Sequence, residues 1–326
     1  MNNNYNSLKL VIFGAGRWGK NHIKTAASLL PNENITVVDL NPSTGELVNS
    51  ISDKIDFTSN FEHSALDFNI AIVATPAETH YQLAKDLLNS GKHVLVEKPI
   101  TLRADEAGEL EELSIKKNLK LMVGHVLLYH PAIIEMKKKI QNGLIGDLQY
   151  IYSNRLNLGA IRSEENSLWS FAPHDISIIQ SIVNDNPTSI HAHGGDFIQN
   201  GIEDTTLTFL TYPNNIKAHI FVSWLHPFKE QRLVVIGDKG MIVFEDSLKT
   251  NKLKFYKKGF EVKNGTVEKF DSEFEVVDFN SDKQPLSEEH RHFYDSVLND
   301  TQPLTDGKHA AEVLKILEEA TKSLKN

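Results

Sequence analysis

The chain has 326 residues, 40% of them hydrophobic and 24% charged, a length above one typical domain and enough apolar material for two packed cores. Having no cysteine excludes disulfides, thiolate zinc sites and cysteine nucleophiles, and a formal charge of −9 argues against nucleic acid, whose phosphates need a clustered basic surface. No run approaches the ~20 apolar residues of a membrane span, and the polar opening MNNNYNSLKL does not read as a signal peptide, so a cytoplasmic protein without a membrane partner is expected.

The first strand in chain order is LKLVIF, residues 8–13, and it runs directly into GAGRWG. Gly14, Gly16 and Gly19 then sit at the turn between that strand and a helix predicted over 17–30. Gly14 permits the tight turn, Gly16 lets the backbone approach a pyrophosphate, and Gly19 lets helix and sheet pack closely. The phosphates sit on the helix N-terminus, where free N–H groups and the dipole favour an anion. The second strand, ITVVD, ends at Asp39, 20 residues beyond Gly19. A carboxylate there accepts hydrogen bonds from the adenosine ribose and repels the extra phosphate of NADP, and no arginine follows in DLNPSTG. NAD is therefore the expected cofactor.

Strands NIAIVAT, HVLVE and KLMVGH follow, alternating with helices over 78–89 and 104–117, the pattern of a parallel sheet covered by helices. Past Tyr129 the pattern changes to a helix over 131–141, a long strand over 148–158, a glycine-containing loop and a short helix starting near Pro173. Proline at N1 with Asp175 in the first turn fits such a start. Segments 205–212 and 216–224, and then 232–236 and 241–244, flank short turns and read as antiparallel hairpins. Helical periodicity returns over 288–298 and 310–324. Apart from the short asparagine-rich start there is no low-complexity segment.

GAGRWG, VATPAETH at 73–80 and VEKP at 96–99 together resemble the Gfo/Idh/MocA family of sugar and cyclitol oxidoreductases, over nearly the whole chain. The resemblance implies an α/β fold: an N-terminal Rossmann domain with a parallel sheet over 1–126, and an α+β substrate domain with an open, mainly antiparallel sheet over 127–326. The last helices are free to pack back on the first domain. In that family the lysine of Glu-Lys-Pro reaches the reacting hydroxyl and the nicotinamide ribose, a role the resemblance gives to Lys98, with Glu97 supporting it and Pro99 fixing the turn. The chemistry stands independently, since a cation beside the substrate oxygen stabilises the alkoxide character that develops as hydride leaves carbon. Arg17, Trp18, Thr75, Pro76 and His80 join Gly14, Gly16, Gly19, Asp39, Glu97 and Lys98 on the cofactor side.

Family members carry an Asp-x-x-x-His motif whose histidine is the general acid or base. Here LWSFAPHDISII aligns His174 with that histidine and puts Ser170 at the aspartate position. Histidine suits the role because its ordinary pKa lies near neutrality. A serine hydroxyl or Asp175 is then left to orient it, and Asp175 is itself a second catalytic candidate.

The segment NRLNLGAIRSEENSLWSFAPHD, with SWLHPFKEQR, resembles the branch of the family that handles nucleotide sugars and oxidises the C3 hydroxyl of UDP-N-acetylglucosamine. It implies a nucleotide-sugar substrate, with Lys98 and His174 at the reacting centre, Arg155, Arg162, Lys229 and Arg232 as cations for the diphosphate, and Asn157 as a polar contact. It also implies a homodimer or homotetramer built through the exposed sheet. A cyclitol or free-sugar dehydrogenase, a ketosugar reductase and a non-catalytic dinucleotide sensor are the alternatives. Ser170 favours the sensor, and Glu97, Lys98 and His174 together oppose it. His191 with His193, and His290 with His292, have i, i+2 spacing but no third ligand, so no metal is expected. His125 and His130 lie at the domain junction, where they face either a cleft or packing.

Overall fold

The computed structural model describes residues 5–60, 66–159 and 161–325; the asparagine-rich start lies outside them. These residues fall in two units, one within Met1–Tyr129 and Gln284–Leu314, the other within His130–Lys283 and Lys315–Asn326.

The first unit holds six strands: β1 Leu10–Phe13, β2 Ile35–Val38, β3 Asp56–Thr58, β4 Ile70–Val73, β5 His93–Val96 and β6 Leu121–Val123. All pair in parallel, in the order β3-β2-β1-β4-β5-β6, which is the doubly wound arrangement with its reversal between β1 and β4. β1 and β4 are buried at every position, which is why they read as unbroken apolar runs instead of alternating ones. The helices between are α1 Gly19–Leu29, α2 Thr44–Ile51, α3 Ala77–Asn89 and α4 Ala104–Lys117. α2 and β3 lie in a stretch where no element is expected from the pattern. Eight and three residues are too few for periodicity to declare itself.

The second unit holds α5 Pro131–Gln141, α6 Ser167–Val183 and eight strands: β7 Leu148–Leu158, β8 Ser189–Gly195, β9 Thr205–Thr211, β10 Lys217–Ser223, β11 Leu225–Gly237, β12 Met241–Glu245, β13 Leu253–Lys263 and β14 Thr266–Val276. Their order is β14-β13-β12-β11-β7-β10-β9-β8, antiparallel throughout except for β7 with β10. α7, Pro285–Leu298, returns to the first unit and packs on α1, while α8, Gly307–Leu324, begins in the first unit and ends in the second.

One expectation is corrected here. Pro173 does not open a helix. α6 starts at Ser167, capped by the Asn166 side chain, which accepts the Trp169 amide at 3.1 Å, and Pro173 lies in its interior. An interior proline removes one backbone hydrogen bond. The helix continues because Leu168, Ala172, Ile176 and Ile179, at helical spacing, bury one continuous face.

Candidate active site

At the carboxyl end of β1 the chain turns with Gly14 at φ +90°, a left-handed conformation that favours glycine. A Cβ at Gly14 meets the Ala74 carbonyl oxygen at 2.6 Å, and one at Gly19 meets the Gly14 carbonyl oxygen at 2.1 Å. A Cβ at Gly16 would meet nothing within 4 Å, so that side of the turn is open to a close approach. α1 has no side-chain cap and no acid in its first turn, which leaves its positive end uncompensated. Asp39 braces the turn: Oδ2 accepts the Ala15 amide at 2.6 Å and Oδ1 accepts the Asn41 amide at 2.9 Å. Arg17 and Trp18 are exposed beside it. An open backbone, a free helix end and a carboxylate at the tip of β2 are what a dinucleotide diphosphate and ribose require, so the residues present fit NAD.

The next two motifs are tied to each other. His80, 2% exposed, sets Nε2 2.8 Å from the Thr75 carbonyl oxygen and Nδ1 2.7 Å from that of Pro99. It therefore braces the loop after β4 against the turn after β5 and has no ring nitrogen left for a cofactor. Thr75 shares a 2.7 Å hydrogen bond with Thr79, and Pro76 immediately precedes α3 without a capping side chain. Glu97, 8% exposed, accepts the Lys98 amide at Oε2, 3.1 Å, and meets His22 Nε2 at Oε1, 2.8 Å. Burial pushes its carboxyl up, but the His22 hydrogen bond with the Lys98 charge and amide more than offsets this and leaves it below the ordinary value. Lys98 thus follows an anion anchored at the carboxyl end of β5. Nearby His125, 3% exposed, lies edge-on to His309 with centroids 5.4 Å apart. Burial, then the charges of His309 and Lys98, push this imidazole well down. His130 is a helix cap whose Nδ1 accepts the Ala132 amide at 3.1 Å.

In the second unit His174 is half-buried on α6, one turn beyond buried Ser170. Asp175, expected as a second catalytic candidate or as the group that orients His174, is held in a buried ion pair. Its carboxylate, 2% exposed, is closed by Ser153 Oγ at 2.6 Å and by Arg155, whose Nε and Nη2 lie 2.7 and 3.0 Å away. Asp175→Ala is therefore expected to destabilise the fold by roughly 3–5 kcal/mol, the usual cost of stranding one partner of a buried ion pair. Urea unfolding measures this, and a loss below about 1 kcal/mol with turnover abolished would restore a catalytic role.

The same pair corrects Arg155 as a diphosphate ligand, because its fork is spent on Asp175. Arg232 is corrected too. It faces Asn154 across the β7–β11 register, on the side of the sheet opposite Ser153 and Arg155, and so lies across the sheet from α6. There it pairs with Glu245 at 3.1 Å and Glu230 at 3.4 Å. Arg162 is exposed and pairs with Glu165, and Lys229 is exposed. Asn157 shares the Arg155 face of β7, and its Oδ1 is buried with no hydrogen-bond partner among the described residues, an acceptor that a ligand donor can complete. Among the described residues no group of three or more His, Asp or Glu is placed to hold a metal, and no helix among them is long and apolar enough to cross a membrane.

His22, Glu289, His290 and Tyr294 were not singled out for the Glu97 site by the sequence, yet they surround it. His290 and His292 do point apart, since His292 Nε2 accepts the Leu304 amide at 2.8 Å while His290 faces His22.

Two family models match the chain: the Gfo/Idh/MocA oxidoreductase family, NAD-binding Rossmann fold, over residues 8–125, and the Gfo/Idh/MocA C-terminal domain over residues 133–243. Inositol 2-dehydrogenase of Rhizobium meliloti is 24% identical over 251 residues, 74% of this chain and 76% of that protein. UDP-N-acetylglucosamine 3-dehydrogenase of Acidithiobacillus ferrooxidans is 26% identical over 152 residues, 46% of this chain and 47% of that protein. Its solved structure matches with a TM-score of 0.83 at 21% identity, covering 98% of each chain. Scyllo-inositol dehydrogenase of Lactobacillus casei, solved with bound NAD(H) and scyllo-inositol, matches with a TM-score of 0.79 at 18% identity, covering 98% of this chain and 97% of that one. The chain belongs to the Gfo/Idh/MocA family of oxidoreductases, with an NAD-binding Rossmann domain.

Proposed function

We propose that this dehydrogenase oxidises a secondary hydroxyl of a nucleotide sugar, C3 of UDP-N-acetylglucosamine. The observation that carries the reading is Lys98, anchored through Glu97 at the carboxyl end of β5, in a chain whose fold matches a UDP-N-acetylglucosamine 3-dehydrogenase over 98% of both chains. Bound NAD takes up the hydride. The Gly14–Gly19 turn and the start of α1 hold its diphosphate, and Asp39 accepts from the adenosine ribose hydroxyls. The Lys98 ammonium stabilises the negative charge that grows on the substrate oxygen, and the His174 imidazole takes the hydroxyl proton. Asn157 Oδ1 is free to accept from a sugar hydroxyl or amide.

Asp39 makes the cofactor preference testable. NAD is expected to bind more tightly than NADP, and Asp39→Ala to weaken NAD by roughly tenfold or more while narrowing the gap, since a charge-assisted hydrogen bond is lost. Calorimetric titration checks this, and NADP binding as tightly as NAD in the unaltered protein would contradict it.

A second reading, a cyclitol dehydrogenase, has support of its own. Arg155 and Arg232 are both engaged by carboxylates, which leaves fewer cations for a diphosphate, and an inositol dehydrogenase aligns over 251 residues. A screen of UDP- and TDP-sugars for NAD reduction, with myo-inositol and free hexoses as controls, separates the two. Turnover confined to inositol favours the second.

The reading includes self-assembly. Phe209, 43% exposed, flanks the stacked rings of Tyr152 and His219 on the open sheet face, an aromatic patch suited to a second copy. Light scattering should give at least twice the 36.7 kDa of one chain, and a mass of one chain at micromolar concentration would exclude the assembly.

A further inference from the structure

A chain of buried hydrogen bonds runs from Glu97 into the helices of the first unit. His22 Nε2 lies 2.8 Å from Glu97 Oε1, His22 Nδ1 lies 2.8 Å from His290 Nε2, and His290 Nδ1 lies 3.0 Å from the Tyr294 hydroxyl. His22, His290 and Tyr294 are each 0% exposed. The two imidazoles stack with centroids 5.1 Å apart and planes 18° from parallel. α1 supplies His22 and α7 supplies the other two, so the chain is part of the packing of those helices.

The direction of the chain follows from its far end. The Tyr294 hydroxyl is buried, and its hydrogen bond among the described residues is to His290 Nδ1, so the O–H donates there. His290 then carries its proton on Nε2 and donates to His22 Nδ1. His22 in turn carries its proton on Nε2 and donates to Glu97 Oε1. Every donor points toward Glu97, whose other oxygen accepts the Lys98 amide.

The groups facing this carboxylate leave it as the anion. Burial holds the His290 imidazole well below its ordinary range. Glu289, also 0% exposed, is pushed well up by burial and then by the Glu97 charge, which favours its neutral form. Beyond these, Lys98 follows in the chain and His125 faces Lys98. Two buried imidazoles and a buried phenol carry a desolvation cost that apolar side chains of the same size avoid, so packing alone does not account for them.

We propose that His22, His290 and Tyr294 are positioning residues for the oxidation: their one-directional chain of hydrogen bonds fixes the Glu97 carboxylate as an anion, and Glu97 fixes Lys98. The three touch neither substrate nor cofactor and act through Glu97. The kinetic part of this inference rests on the oxidation proposed above; the hydrogen-bond part does not.

Nitrogen-15 NMR of histidine-labelled protein reads the chain whatever the substrate. Both His22 and His290 should show a protonated Nε2 and a bare Nδ1. The His22 signal should change in His290→Leu and be kept in His290→Gln, whose amide can donate toward His22 and accept from Tyr294. A protonated Nδ1 on either ring overturns the proposal. Kinetics then test positioning, on UDP-N-acetylglucosamine or on myo-inositol, whichever reduces NAD. His290→Leu should lower kcat about tenfold with the NAD Kd within about twofold, and His290→Gln should stay within about threefold of the unaltered enzyme. In a Glu97→Gln background His290→Leu should cost nothing further, whereas equal losses in the two backgrounds overturn the proposal. Tyr294→Phe keeps the ring and removes one oxygen. It replaces His290→Leu if that variant does not fold, with an expected loss of about threefold and the same non-additivity. If neither sugar reduces NAD, the substrate reading falls and the NMR result alone decides the chain.

Discussion

Lys98→Met should lower kcat by a factor of about 10² to 10³, the usual scale for removing one preorganised electrostatic stabiliser from an alkoxide-like transition state. Methionine keeps much of the aliphatic length and removes the charge. The diphosphate and adenosine ribose are held elsewhere, by the glycine turn and Asp39, so calorimetry should find NAD affinity changed by less than about threefold. The proposed role is lost if kcat stays within about a factor of three. A large rise in NAD Kd with kcat unchanged points instead to ground-state binding of the nicotinamide ribose.

His174→Asn should cost a factor of about 10² to 10⁴, the range for a positioned general base, and it should change the shape of the pH profile. In the oxidation direction the imidazole must be neutral to accept the hydroxyl proton, so activity falls as pH drops through its pKa. With asparagine in its place that acidic limb should disappear. Loss of the limb is the sharper of the two outcomes, because a damaged helix lowers kcat without removing it. Asp175 offers no substitute base, since Arg155 and Ser153 close its carboxylate. A folded His174→Asn enzyme that keeps both its rate and its acidic limb moves the base to another residue.

The cofactor end was legible because its constraints are local. The strand, the three glycines and Asp39 all lie between residues 8 and 39, and each has a steric or electrostatic reason that a single position can display. The Glu97 neighbourhood was not legible. His22 and His290 are 268 positions apart, and the second drew attention only for a spacing to His292 that a helix turns into opposite directions. Arg155 and Asp175 failed for a related reason. A sequence shows that both charges exist but not that they neutralise each other across β7 and α6, and a paired cation is unavailable to a diphosphate.

Secondary structure failed where the usual signals conflict. Pro173 and Asp175 imitate a helix start, while the true start at Ser167 rests on an asparagine cap and on the spacing of Leu168, Ala172, Ile176 and Ile179. β13 and β14 escaped because much of the hairpin is exposed. Phe260, Val262 and Val267 are each more than 60% exposed, so no buried face imposes an alternation of apolar and polar residues.

If hydride leaves C3 of the nucleotide sugar for NAD, an isotope at that carbon must follow it. With UDP-N-acetylglucosamine deuterated at C3, mass spectrometry should find one deuterium in the reduced cofactor for each sugar oxidised, and turnover should be no faster than with the unlabelled sugar. Reduced cofactor that carries no deuterium from this substrate, or reduction that proceeds only with inositol, would contradict the claim.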